Sequence, residues 1–214
     1  MKFLAIDTAN EYLCVVAHNE GKTAVAFLPD SSMRHSTELM AQVEIALTEA
    51  KLRLEECDFF AAVVGAGSFT GIRIGVSAVK GFCLACKKPS LPVTSFEVAA
   101  YNAVDGDDKM LCIVDALHDA YYACGFDGEK QVILPPAYLT EEEVLALAAQ
   151  GYALKALRAK DEWSIGIAQK AAVEPCNPAK GLLAAVLKKA EKGEFGELEA
   201  VYVRKSSAEL NLGK

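Results

Sequence analysis

The sequence predicts an α/β fold made of two related halves. Three observations carry that prediction. Short β-prone runs alternate with helical periodicity along most of the 214 residues. A strand, Phe59-Phe60-Ala61-Ala62-Val63-Val64, runs straight into the glycine-rich turn Gly65-Ala66-Gly67-Ser68-Phe69-Thr70-Gly71 and then into a helix. A strand ending in aspartate, then a turn and a second strand, opens the chain at Leu4-Ala5-Ile6-Asp7 and recurs about a hundred residues later at Cys112-Ile113-Val114-Asp115.

Residues 2–6, 12–17 and 23–28 are short and apolar, separated by Asn10 and then by Asn19 and Gly21, which predicts a three-stranded meander. A helix is expected over 37–50, capped by Ser36, with Leu39, Val43, Ala46, Leu47 and Ala50 on one face. The strand at 59–64, the glycine turn, a helix over 71–86, a strand near 91–94 and a helix over 96–103 follow. The composition turns polar at Gly106-Asp107-Asp108, which divides the chain into an N-terminal half, 1–105, and a reduced C-terminal half, 106–214. In the second half, strands are expected over 110–114, 121–126 and 130–134. Helices are expected over 140–150, capped by Thr140, and over 162–172 and 178–191, with a late strand at 200–204 before a polar tail.

Hydrophobic residues make up 52% of the chain and charged residues 24%, so disorder is not expected. A net charge of −7 argues against a broad basic surface for nucleic acid. The seven cysteines are odd in number and lie in apolar settings, which points to reduced thiols in a cytoplasmic protein. Asp7 interrupts any signal-peptide core, and no apolar stretch is expected to reach membrane-spanning length.

The glycine turn lacks the Gly-Lys-Ser/Thr of a phosphate loop, since Ile72 follows Gly71. It fails the dinucleotide fingerprint at Thr70, and the esterase elbow at Ala66 and Thr70. Two readings stay open. Either the glycines only permit the turn and Thr70 caps the helix, or the N–H groups at the helix start hold an anion. On the second reading, Asp7, Gly67, Ser68, Thr70 and Arg73 are the candidate anion or nucleotide contacts. Asp7 and Asp115 are the best-placed ionisable groups, with turn capping an equal alternative. The residues after them, Thr8-Ala9-Asn10 and Ala116-Leu117-His118, contain no glycine to admit a phosphate. Cys83 and Cys86 form one isolated Cys-x-x-Cys within a helix and read as core thiols, and the three histidines make no short-spaced pair.

The helix after the turn is apolar on two faces. Ile72, Val76, Val79, Cys83 and Cys86 form one, and Gly71, Gly75, Ala78, Phe82 and Ala85 form a second, made mostly of small residues. Such a helix is buried on two sides. The first face suits the sheet. The second suits another helix, either the 37–50 helix of the same chain or another subunit. A large or charged residue there, Gly75→Leu or Ala78→Glu, is expected to block the subunit and spare the fold.

At these residues the sequence resembles the bacterial TsaB (YeaZ) family of tRNA threonylcarbamoyladenosine biosynthesis proteins. Ile6-Asp7-Thr8, Arg34-His35-Ser36 with Leu39, and Gly65 to Gly75 are similar to the family's opening strand end, first helix start and glycine signature. Val114-Asp115-Ala116 and Val201-Tyr202-Val203-Arg204 are similar to its later landmarks. Ala66 and Leu117 depart from the family's proline and arginine, and the region between Gly151 and Pro178 carries no landmark. The resemblance implies an actin-like (ASKHA) fold, with two ribonuclease-H-like halves built on mixed five-stranded sheets flanked by helices. It also implies a non-catalytic subunit with no cofactor of its own, which pairs with the paralogue TsaD and the ATPase TsaE, with metal and ATP on those partners. It reaches tRNA only through the complex, has no membrane role, and forms homodimers when alone. The implied interface holds His35, Leu39 and Val43 of the first helix with Gly71, Ile74, Gly75, Ala78, Phe82 and Ala85 of the second. The competing reading is an independent actin-fold ATPase or a peptidase-like enzyme, for which Ser68 and His35 are the candidate pair.

Overall fold

The computed structural model describes residues 1–102, 107–116, 120–157 and 166–203. Its first sheet is built from β1 (Lys2–Asp7), β2 (Leu13–Asn19), β3 (Lys22–Leu28), β4 (Phe59–Val63) and β5 (Ser90–Val93), in the order β3-β2-β1-β4-β5. The meander is antiparallel, while β4 and β5 add in parallel beside β1. The parallel crossovers run through α1 (His35–Ala50) and α2 (Phe69–Cys86). A helix is the usual way to return a chain to the same edge of a parallel pair.

The second sheet repeats the first. Its strands are β6 (Lys109–Asp115), β7 (Ala120–Asp127), β8 (Val132–Thr140), β9 (Ala153–Leu157) and β10 (Val173–Cys176), ordered β10-β9-β6-β7-β8. The first three are antiparallel and the last two parallel, the same pattern as before. The remaining helices are α3 (Ser95–Ala100), α4 (Glu141–Ala149), α5 (Gly166–Lys170) and α6 (Pro178–Glu191). The duplication expected from the two aspartate-ended strands is therefore present in the topology. The fold is the mixed, two-sheet α/β fold that was expected.

The two halves exchange their last helices. α3 follows the first sheet, yet Phe96, Ala99 and Ala100 pack with Met110, Cys112 and Phe126 of the second. α6 follows the second sheet, yet Leu182, Ala185 and Val186 join the core of the first. An ion pair of 2.5 Å between Lys189 and Glu97 ties the two helices together. The expected division at 105/106 falls on residues 103–106, outside the described residues. The chain beyond it does not stay with one sheet.

Several elements differ from the sequence reading. α1 starts at His35, two residues early, with the His35 ring pinned to the carbonyl of Tyr12, the residue before β2; Ser36 lies inside the helix and Arg34 holds the cap position. α2 starts at Phe69 with Ser68, not Thr70, as the cap: the Ser68 Oγ accepts from the Gly71 N–H at 3.3 Å. α3 is shorter than expected and carries a capping box between Thr94 and Glu97. β9 and β10 were not foreseen, and the helix expected over 162–172 is described only at Gly166–Lys170. The expected strand near 200 belongs to neither sheet among the described residues. Leu117, His118 and Arg204 lie outside the described residues.

Candidate functional site

The corner where β1 ends and α2 begins is closed by the chain itself. The Ser68 N–H donates to the Ala9 carbonyl at 2.7 Å, and the Thr8 hydroxyl donates to the Gly71 carbonyl at 2.7 Å. A Cβ at Gly71 would overlap the Thr8 carbonyl, and one at Gly75 would stand 2.5 Å from the Thr8 Oγ1. Glycine at these two positions lets the helix lie directly on the loop after β1. The small-residue seam is therefore sealed inside the monomer at Gly71 and Gly75, because Thr8 already fills it.

Asp7 is fully buried and faces inward. Its carboxylate accepts the Ala9 N–H at 2.9 Å and the Tyr12 hydroxyl at 2.7 Å. Burial pushes its pKa up to about 6, against the lowering effect of those two hydrogen bonds. Asp7 thus fastens the turn after β1, and the alternative of a ligand-facing carboxylate is not what the structure shows. Gly67 sits against the Ala9 carbonyl. Ser68 is occupied as a cap, and Thr70 is exposed. Arg73 is exposed too, but its guanidinium lies 3.7 Å from the Phe69 ring centroid and its Nε donates to the Tyr202 hydroxyl. Asp7, Gly67 and Ser68 all meet the backbone of Ala9, while Arg73 is turned to Phe69 and Tyr202.

His35 donates from Nε2 to the Tyr12 carbonyl at 3.0 Å, since a carbonyl can only accept. Burial pulls its imidazole below the usual range, partly offset by that hydrogen bond. With Ser68 serving as a cap, no hydrogen bond joins the two among the described residues, so the peptidase pair is not assembled. Among the described residues, no cluster of His, Cys, Asp and Glu has the makings of a metal site.

What remains open is the outer side of α2. Only Gly71, Ile72, Gly75, Val76 and Val79 of this helix are buried. Ile74, Ala78 and Phe82 are half-buried, Ala85 is exposed, and Leu84 is 83% exposed. The expectation that no stretch reaches membrane-spanning length needs correction, since α2 is long and apolar enough to do so by length and composition. It nonetheless serves as the crossover between β4 and β5, with Ile72 and Val79 fully buried in the sheet's core. Beside it, α1 and the segment that follows it border a largely apolar groove of about 700 Å³, lined by Met40, Val43, Leu47, Leu52 and Leu54, by Phe82 of α2, and also by Glu44, Lys51 and Arg53. Met40 on its rim is 57% exposed. His35 and Leu39 lie beneath this surface, in the chain's own core, and Val43, 3% exposed, only floors the groove, so the outward part of the expected interface is Ile74, Ala78, Phe82 and Ala85. Met40 also belongs to this surface and was not picked out from the sequence; its apolar character at an outward position of α1 was the available signal. Leu84 is exposed on another side of α2, in line with Arg73, Ser77 and Lys80.

Comparison with known proteins agrees with this architecture. Residues 27–207 match the family described as TsaD: tRNA N6-adenosine threonylcarbamoyltransferase. Over 126 residues the chain is 32% identical to tRNA threonylcarbamoyladenosine biosynthesis protein TsaB of Escherichia coli (strain K12), covering 58% of this chain and 54% of that one. It is 29% identical over 122 residues to the protein of the same name from Bacillus subtilis (strain 168), covering 57% and 53%. The chain spans about half the length of the curated relatives it matches. The solved structure of YeaZ from Pseudomonas aeruginosa superposes with a TM-score of 0.77 at 26% identity, over 94% of this chain and 99% of that one. The resemblance to TsaB and YeaZ is thus found both in sequence and in structure.

Proposed function

The chain belongs to the family described as TsaD: tRNA N6-adenosine threonylcarbamoyltransferase, and from that premise we propose that it is an accessory, non-catalytic subunit in the making of threonylcarbamoyladenosine in tRNA. Its task is to dock a TsaD paralogue through the open side of α2 and the groove beside α1, and to help recruit the ATPase TsaE. Metal and ATP belong to those partners, tRNA is met only through the assembly, and the protein works in the cytoplasm. Alone, two copies close over the same face.

One observation carries this reading: an 18-residue helix of strongly apolar composition leaves its outer side uncovered in the monomer. Each Å² of that apolar surface removed from water contributes about 25 cal/mol. A partner that brings two helices of similar shape would gain this without having to open the fold. The accessory role is supported by the closed corner at Asp7 and Thr8, where a substrate-binding carboxylate would need to face outward. It is also supported by the relatives, which are named as biosynthesis proteins TsaB.

The test is reconstitution of tRNA modification from purified TsaD, TsaE and this chain. Omitting the chain is expected to abolish modification, and adding it back to restore it. Full modification without it would overturn the accessory role. Modification by the chain without TsaD would overturn its non-catalytic character.

A further inference from the structure

The segment after α6 crosses both layers of the first half. Phe195 meets Phe59 edge-on, with ring centroids 5.2 Å apart. The Gly196 N–H donates to the Ser90 carbonyl at 3.0 Å, and the Ser90 hydroxyl donates back to the Gly196 carbonyl at 2.7 Å. Leu198 is buried in the core of the first sheet. Phe60, next along β4, packs against Phe82 of α2. Side chains alternate along a strand, so Phe59, and the segment over it, lie on the face opposite α2. At the far end of β4 the segment changes sides. The Val201 N–H donates to the Val64 carbonyl at 2.7 Å, and the Val201 carbonyl comes so near Gly65 that a Cβ there would stand 2.6 Å from it. The Tyr202 ring then rests on Phe69, 4.7 Å between centroids, while its hydroxyl accepts from the Arg73 Nε at 3.3 Å.

We infer that residues 193–203 form a clasp that fixes the first turn of α2, and that Tyr202 is a positioning residue for the docking face farther along the same helix. The inference rests on the docking role proposed above. The first turn has few other anchors on its outer side: Phe69, Thr70 and Arg73 are exposed, and Phe69 and Arg73 touch one another and Tyr202. A rigid helix carries its setting along its length, so the clasp at Phe69 and Arg73 governs the angle at which Ala78, Phe82 and Ala85 are presented. Aromatic and cation–π contacts of this kind are local and separable from the core, so the clasp can be loosened while the fold stands.

The experiment compares the full chain with Tyr202→Ala, Tyr202→Phe and Ala78→Glu, reading amide hydrogen exchange, the Kd for TsaD and the thermal midpoint. Tyr202→Ala is expected to raise exchange in residues 70–75 about tenfold, to leave β1 and α6 unchanged, and to weaken TsaD binding about fivefold. Tyr202→Phe keeps the ring and is expected to restore most of both. Unchanged exchange in Tyr202→Ala would overturn the clasp. Raised exchange with unchanged binding would overturn its effect on docking. Ala78→Glu separates this from the parent reading: if it leaves the Kd unchanged, the docking face itself is misplaced, whatever the exchange data say about the clasp.

Discussion

Asp7 and Thr8 show how much one loop can hold. Asp7 secures the turn into β2, Thr8 and Ala9 receive the start of α2, and Tyr12 joins Asp7 to His35 at the start of α1. The Asp7 carboxyl has a folded pKa of about 6, above its unfolded value of 3.8. A group raised in this way contributes its stability fully below the unfolded value and loses it as pH rises through the folded one. Ionised Asp7 therefore costs on the order of 3 kcal/mol at pH 8, at about 1.36 kcal/mol per pKa unit. Asp7→Asn keeps an acceptor for the Ala9 N–H and a donor toward the Tyr12 oxygen. It should stabilise the protein in urea unfolding at pH 8, and by a smaller margin at pH 5. Equal effects at both pH values would refute the assignment. Gly71→Ala pushes a methyl onto the Thr8 carbonyl and should lower stability by about 1–3 kcal/mol, the usual cost of overpacking, read from the unfolding midpoint. The sequence placed Gly71 on a face of small residues, but not what that face meets. The closeness of Thr8 to Gly71 is a contact across 63 positions that no local pattern encodes.

At the scale of the element, α2 combines two environments in one helix. Its first half is sealed by the chain's own loop, and its second half is offered outward. The sequence identified two apolar faces, and a seam of small residues on one of them. It could not say that Thr8 would fill the seam at Gly71 and Gly75, and that corrects the expectation for Gly75→Leu. Any Cβ at position 75 would stand 2.5 Å from the Thr8 Oγ1, so this substitution would damage the fold itself. Ala78 and Ala85 are the proper probes. The strands β9 and β10 are hidden in the sequence for a related reason. Ala153–Leu157, built from alanine and leucine around one lysine, has no β-branched residues to mark it, and its strand character comes from the parallel pairing with β6. α4, by contrast, was legible almost to the residue, because Thr140 and Glu143 form its capping box within the local sequence.

The whole molecule is two copies of one topology that trade their final helices. The recurrence of a strand ending in Asp was enough to reveal the duplication, since β1–β2 and β6–β7 are antiparallel pairs of strands adjacent in the chain. The exchange of α3 and α6 was not legible, because helices with ordinary caps give no sign of which sheet they will cover. Lys189 and Glu97 join the exchanged pair, with both side chains mostly buried. Lys189→Met would leave the Glu97 carboxylate partly buried beside a neutral side chain. It should destabilise both halves together, by about 1–3 kcal/mol, as one cooperative transition in thermal unfolding. Two separate transitions would contradict the interlocked arrangement.

The central claim is that the outer side of α2 is a docking face. Its most direct measurement is the Kd between TsaD and the chain carrying Ala85→Glu, with the unfolding midpoint recorded alongside. Ala85 is exposed, so the substitution should leave the midpoint where it was. The account predicts a Kd at least tenfold weaker, a loss of about 1.4 kcal/mol or more. Binding at the unmodified strength by a folded Ala85→Glu chain would contradict it.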